Sequence, residues 1–289
     1  MRAARSIQWH EVGAALAGYG AGTLAAAAAL VLLSYLVYGG YDLAARHYAH
    51  HGLSTLRVLV IAFISYAFSL NIGALVGGAG FRYRLYSHSG LAVGPISRVI
   101  VFSVTTNWLG YVLLGGALFA TRSVDTPPGW ELGATGLQWV GAAMLAATAA
   151  YLVACQRLRG RVYHVRGHHF RVPSLPLAVV QLALSCANWS IMAWIIDLLL
   201  PPSVPYATVL GVLLLAGIAS AMAHIPAGIG VLEAVFVALL GHTVPQPHLL
   251  AALLGYRGLY YLAPLLVAVA LYLGFEARGK RSEAGPPAR

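Results

Sequence analysis

Charge is what this sequence has least of. Of 289 residues, 18 are Lys or Arg and 8 are Asp or Glu, so 9% are charged, where soluble domains carry roughly 25%. A water-facing surface cannot be built from so few charges. Polar interruptions are scarce too, and no stretch between apolar runs is long enough for a soluble catalytic domain. There are two cysteines, Cys155 and Cys186, both in or beside apolar runs. A disulfide between them is not expected, and nothing around them suggests a metal site. Paired carboxylates, a His-Glu-x-x-His and a Ser/His arrangement at useful spacing are absent, which argues against an intramembrane enzyme. The apolar runs also lack the alternation of strands. In lipid every backbone N–H and C=O must be satisfied internally, by helices or a closed barrel, so helices remain.

What is there is hydrophobic: 60% of the residues, with a mean hydropathy of +0.76. A helix crossing the hydrocarbon core takes about 20 apolar residues. Runs of that kind fall at about 12–37, 57–79, 97–120, 134–155, 174–200, 206–224 and 248–274, with a shorter one at 228–241. The first follows Arg2 and Arg5 as a signal peptide would, but it is longer than an h-region and lacks a break before a cleavage site. It reads as a retained helix. The run 228–241 is too short to cross alone, and only Ile225-Pro226-Ala227 separates it from its predecessor. The reading is an all-α polytopic membrane protein: six full spans and a re-entrant hairpin over 206–241. It forms one integral membrane domain over 1–289, with a basic flank at 1–11 and a polar tail at 275–289.

The net charge of +10 belongs in loops facing anionic headgroups, and no nucleic-acid partner is expected. The stretches 81–98 (Arg82, Arg84, Arg98) and 156–173 (Arg157, Arg159, Arg161, Arg166, Arg171) contain no acid. The positive-inside rule puts both, and both termini, in the cytoplasm, with 121–133 outside. Tyr163, His164, His168 and His169 sit among these arginines, which repel a metal cation, and no carboxylate or Cys completes a site. His47, His50 and His51 are placed on the opposite side. No metal and no cofactor is expected.

An ionisable side chain at mid-helix costs about 2.5–3.5 kcal/mol on insertion scales, so it needs a partner or a wet cavity. The candidates are Arg82, Asp197, Glu233 and Arg257, with polar Asn71, Asn107, Asn188 and His224. In the segment 223–233, Pro226 ends one helix, and Gly228 and Gly230 admit positive φ or close backbone approach. Glu233 then falls in the first turn of the next half-helix, where the dipole favours an anion. Free N–H groups at such a break form a polar pocket at membrane depth; a plain kink would not need the acid. The segment 71–84 is similar: Asn71, a Gly-rich break, then Arg82 and Arg84. Arg82 at a positive dipole end calls for an anion, either a lipid phosphate or Glu233. Gly73 and Gly77 also read as a helix-packing GxxxG, and Gly18 with Gly22 permits a homo-oligomer. Paired broken segments in two halves point to a midplane site. Arg257 lies in the last run beside Tyr260, with Glu233, Asp197 or a lipid phosphate as its partner; snorkelling to the interface is the alternative.

Three runs carry a resemblance: the Gly-rich break with Arg82-Tyr83-Arg84-Leu85, His224-Ile-Pro-Ala-Gly-Ile-Gly-Val-Leu-Glu233, and Tyr256-Arg-Gly-Leu-Tyr-Tyr-Leu-Ala-Pro264. In order and spacing they resemble the lysylphosphatidylglycerol synthase transmembrane-region family. The resemblance implies a helical membrane fold with re-entrant elements, a location in the bacterial inner membrane, and movement of anionic or aminoacylated phospholipid between leaflets. It carries over Pro226, Gly228, Gly230, Glu233, Arg82 and Arg257; with Arg84, Asn71, His224 and Tyr260 they make the expected substrate-binding set. Two-domain members add a soluble synthase domain, and the sequence leaves no room for one after the last run. Aminoacyl transfer is therefore not expected. The alternative is a non-catalytic membrane subunit that partners a lipid-modifying or glycosyl-transferring enzyme.

Overall fold

A computed structural model describes residues 9–123, 133–158, 161–165, 168–223, 225 and 228–283. Asp125, Glu131, Arg159, Arg166, His224 and Pro226 lie outside the described residues. The chain is a bundle of helices: α1 (Trp9–Ala17), α2 (Ala21–Ala49), α3 (Thr55–Ile72), α4 (Phe81–His88), α5 (Val93–Ala120), α6 (Gly133–Arg157), α7 (Leu175–Leu199), α8 (Tyr206–Ala223), α9 (Val231–Leu240), α10 (Gln246–Tyr256) and α11 (Ala263–Glu283). Two π-helical segments, Ala74–Gly80 and Arg257–Leu262, join α3 to α4 and α10 to α11. Among the described residues seven helical stretches are long and apolar enough to cross a membrane, and Val231–Leu240 is a shorter apolar helix. The basic loop also contains an antiparallel hairpin, β1 (Val162–Val165) with β2 (His168–Arg171). Large apolar side chains such as Trp139 and Leu266 stand clear of the protein on the outer faces, as a lipid-facing surface requires.

The first run divides differently from its hydropathy. A break at 18–20 separates α1 from a 29-residue α2 that continues well past residue 37. Gly18 and Gly22 therefore fall on either side of a break and do not form one helix stripe. Gly39 and Gly40 look like interruptions, but they bring α2 close to its neighbours: a Cβ at Gly39 would meet Leu59, and one at Gly40 would meet Leu184. The helix ends at His50, in the left-handed conformation, whose N–H bonds the Arg46 carbonyl. Ser54 then caps α3 by accepting from the Arg57 N–H.

The run 57–79 is not one helix. Gly73 adopts φ 108°, a conformation open in practice to glycine alone, and the chain turns back along α3. Gly77 packs so tightly there that a Cβ would fall 2.2 Å from the Phe68 carbonyl oxygen. By Tyr86 the chain has returned to the end of the bundle where α3 began: the Tyr86 ring stands 5.7 Å from that of His51. At the same end the Tyr48 hydroxyl donates to the Arg171 carbonyl at 2.6 Å. His47, His50 and His51 thus lie beside the basic loops, not opposite them. Arg57 packs over Phe275, so the last helix finishes at this basic end too. α2 and the last helix run the same way, because Ser34 and Tyr35 meet Tyr260 halfway. α1 packs on Leu250 and Ala251, at the far end. The charge count took 57–79 as one crossing, whereas the chain doubles back at Gly73.

α8 and α9 form a second antiparallel pair. α8 follows the end of α7, where the Tyr19 hydroxyl donates to the Leu199 carbonyl at 2.9 Å. α9 leads through buried Leu240 and Val244 into α10 at the same far end. Between the pairs runs a buried polar column: Ser34 to Asn188 at 2.7 Å, Ser34 to Tyr260 at 2.7 Å and Tyr66 to Tyr260 at 2.8 Å.

Candidate functional site

The second pair presents its tip to the π-helical segment of the last span. Gly228 and Gly230 have φ 56° and 81°, left-handed values that disfavour any side chain. A Cβ at Gly228 would also press on Ser220 Oγ, at 2.7 Å. The two glycines turn the chain so that α9 starts at Val231 with Glu233 in its first turn. Glu233 accepts from the Gly230 N–H at 3.0 Å, filling one of the amide donors that a helix start leaves open. Its carboxylate is also bidentate with Arg257: Nε bonds Oε1, and Nη2 reaches Oε2 at 3.2 Å. Nη2 further donates to the Gly228 carbonyl at 2.9 Å, and the guanidinium lies over the Tyr261 ring, 5.3 Å from its centroid. Both side chains are mostly covered, 14% and 17% exposed. Of the partners proposed from sequence for Arg257, the structure selects Glu233.

The first pair reaches the same place from the basic end. Asn71, in the last turn of α3, donates to the Ala67 carbonyl at 2.8 Å and across to the Tyr261 carbonyl at 3.2 Å. Asn71, Gly230, Glu233, Arg257 and Tyr261 share a cavity of about 390 Å³ whose other walls are apolar, Trp9 and Leu254 among them. A neutral ion pair with a hydrogen-bonding rim in an apolar cavity suits a polar group whose remainder is apolar.

Arg82 is elsewhere. Its Nε bonds both oxygens of Asp42, at 3.2 and 3.1 Å, and Nη2 donates to the Tyr38 hydroxyl at 3.2 Å. Tyr86 and Ser103 donate to the same carboxylate at 3.0 and 2.7 Å. The pair is sealed, 3% and 0% exposed. Arg82 therefore has its anion, but it is Asp42 rather than Glu233. The pair fastens α4 to α2 and α5.

Arg84 bonds Glu276 at 2.9 Å near the surface of the basic end, away from the cavity. Tyr260 belongs to the buried column; its neighbour Tyr261 is the one that faces Arg257. Of the expected set, Asn71, Gly228, Gly230, Glu233 and Arg257 come together, and His224 and Pro226 fall outside the described residues. Sequence reasoning missed Asp42, Trp9 and Tyr261. An acid within the apolar 38–49 stretch was the available signal for Asp42. No group of three or more His, Cys, Asp or Glu assembles among the described residues.

A family model described as the lysylphosphatidylglycerol synthase TM region matches residues 1–268. Over 282 residues the chain is 45% identical to Inner membrane protein YbhN of Escherichia coli (strain K12), covering 97% of this chain and 89% of that protein. It is 31% identical over 280 residues to slr0712 of Synechocystis sp., covering 95% and 86%.

Proposed function

The chain belongs to the lysylphosphatidylglycerol synthase TM-region family, and from that premise we propose that it is a phospholipid translocase of the bacterial inner membrane. The observation that carries the reading is the Glu233–Arg257 pair, held where two helical pairs from opposite ends of the bundle meet. A phospholipid crossing between leaflets must carry a phosphate, and often an ammonium, through hydrocarbon, where an unpaired charge is costly. Arg257 takes the phosphate, and Glu233 takes an ammonium where the headgroup has one. A headgroup that carries both charges replaces the internal pair and leaves neither residue bare.

The α3–α4 and α8–α9 pairs act as re-entrant hairpins entering from the two faces. Broken helices of this kind, meeting near the midplane, are how transporters build a site that opens to each side in turn. Arg82 and Asp42 play a supporting part, locking the first hairpin to α2 and α5. Facing apolar walls leave the acyl chains in contact with hydrocarbon throughout.

The test is exchange of fluorescent phosphatidylglycerol and an aminoacylated analogue in proteoliposomes, with wild type against Glu233→Gln. Fast exchange in wild type that is lost in the folded variant is expected. Exchange with neither lipid in folded wild-type protein would refute the translocase and favour the partner-subunit alternative.

A further inference from the structure

The basic end of the bundle carries two adjoining hollows that share no residue with the Glu233–Arg257 cavity. The first, about 360 Å³, opens between the last turn of α2 and the chain entering α7, with His47, His50, Arg171 and Ser174 in its walls. The second, about 110 Å³, continues along α5, where Arg98, Val101, Phe102 and Thr105 recur at the spacing of one helix face. Tyr48 and Pro173 line both. The Tyr48 hydroxyl holds the Arg171 carbonyl, its ring packs on Phe102 at 5.0 Å, and both Arg98 and Arg171 act on it electrostatically.

Among the described residues no carboxylate pairs with Arg98 or Arg171. No acid lines either hollow. Asp42, on the same helix as His47, is committed to Arg82, Tyr86 and Ser103, and Glu276 is committed to Arg84. Arg98 donates to the Gly94 carbonyl, at 3.4 Å. One guanidinium, Arg171, and two imidazoles thus frame a mouth, and the second, Arg98, stands in the adjoining trench, where Val101 and Phe102 line the wall together with Tyr151 and Gln181. A soluble anion would use the mouth alone; the apolar trench continuing from it fits a ligand with a chain attached.

We infer that this niche is a binding site for an acidic phospholipid, its phosphate held by Arg98 and Arg171 with His47 and His50 around it, and the start of an acyl chain along Val101 and Phe102. The site is lateral to the translocation cavity and does not depend on translocation. Native mass spectrometry of the full chain, titrated with phosphatidylglycerol and phosphatidylcholine of matched chains, reads it directly. Loss of charge-assisted bonds in Arg98→Gln/Arg171→Gln should weaken phosphatidylglycerol binding about tenfold or more, with phosphatidylcholine adducts unchanged. Val101→Trp, which fills the trench and keeps every charge, should weaken it too. Arg157→Gln, on the same end but outside the niche, should not. Equal loss in Arg157→Gln would mean diffuse attraction to a basic surface and overturn the site, as would no loss in the double variant. Retained binding in Val101→Trp, or thermal stabilisation by inorganic phosphate that depends on the two arginines while phosphatidylglycerol does not bind, would overturn the lipid assignment in favour of a soluble anion.

Discussion

Removing the carboxylate of Asp42 without changing its shape tests the packing of the first hairpin most directly. In Asp42→Asn, Arg82 remains 3% exposed with no anion, and the hydroxyls of Tyr86 and Ser103 lose a charged acceptor. Breaking a buried pair by neutralising one partner costs about 3–5 kcal/mol, because the other charge stays buried. For a chain of this size that corresponds to a fall in Tm of about 6–20 °C. The assay is thermal unfolding of detergent-purified protein. The decisive comparison is the double variant Asp42→Asn/Arg82→Gln, which removes both charges. It should lose less than the sum of the single variants, by several kcal/mol, since groups in contact do not contribute additively. Additive losses, or a wild-type Tm for Asp42→Asn, would refute the pairing and return Arg82 to the list of residues free to meet a substrate.

Substituted-cysteine labelling, with Cys155 and Cys186 first replaced, should modify His50→Cys and Arg171→Cys from one face of sealed vesicles and Gly20→Cys from the other; labelling of all three from one face would contradict the packing of α2. Gly228→Ala forces a side chain into a left-handed turn against Ser220 and should cost about 1–3 kcal/mol of stability, measured by the same unfolding assay. Burial and then Arg46 depress the pKa of His51, between α2 and α3, below its ordinary 6.5. The folded state therefore binds fewer protons than the unfolded one, so Tm should hold above pH 6.5 and fall as pH drops below it until the depressed pKa is passed. His51→Phe, which keeps the edge contact with Tyr86, should flatten that slope.

The apolar runs were legible in the sequence because length and hydropathy are what a bilayer selects. The segment 228–241 was recognised as too short, and α9 spans Val231–Leu240. The turn chemistry of Gly228 and Gly230 could also be read, because it is local; for Arg257 the sequence left Glu233, Asp197 and a lipid phosphate open, and the fold decides for Glu233. Other features depended on distant contacts. Gly39-Gly40-Tyr41-Asp42 lowers local hydropathy and reads as the end of a run, yet α3 and α7 pack on those glycines and Arg82, forty residues on, neutralises the acid. Gly73 reads both as part of a Gly-rich break and as part of a packing stripe, since a sequence does not show whether a glycine will adopt φ 108°. Missing that reversal changed the end of the bundle assigned to His47, His50 and His51.

The two buried ion pairs have an electrical consequence. A single charge carried across the membrane field gains or loses about 2.3 kcal/mol per 100 mV. Arg82 with Asp42, and Arg257 with Glu233, are each neutral as a unit. A motion that carries both members of a pair the same distance through the field moves no net charge on that pair's account, so the pairs add nothing to the voltage dependence of such a motion. A motion that parted a pair, or a cargo with net charge of its own, would feel the potential.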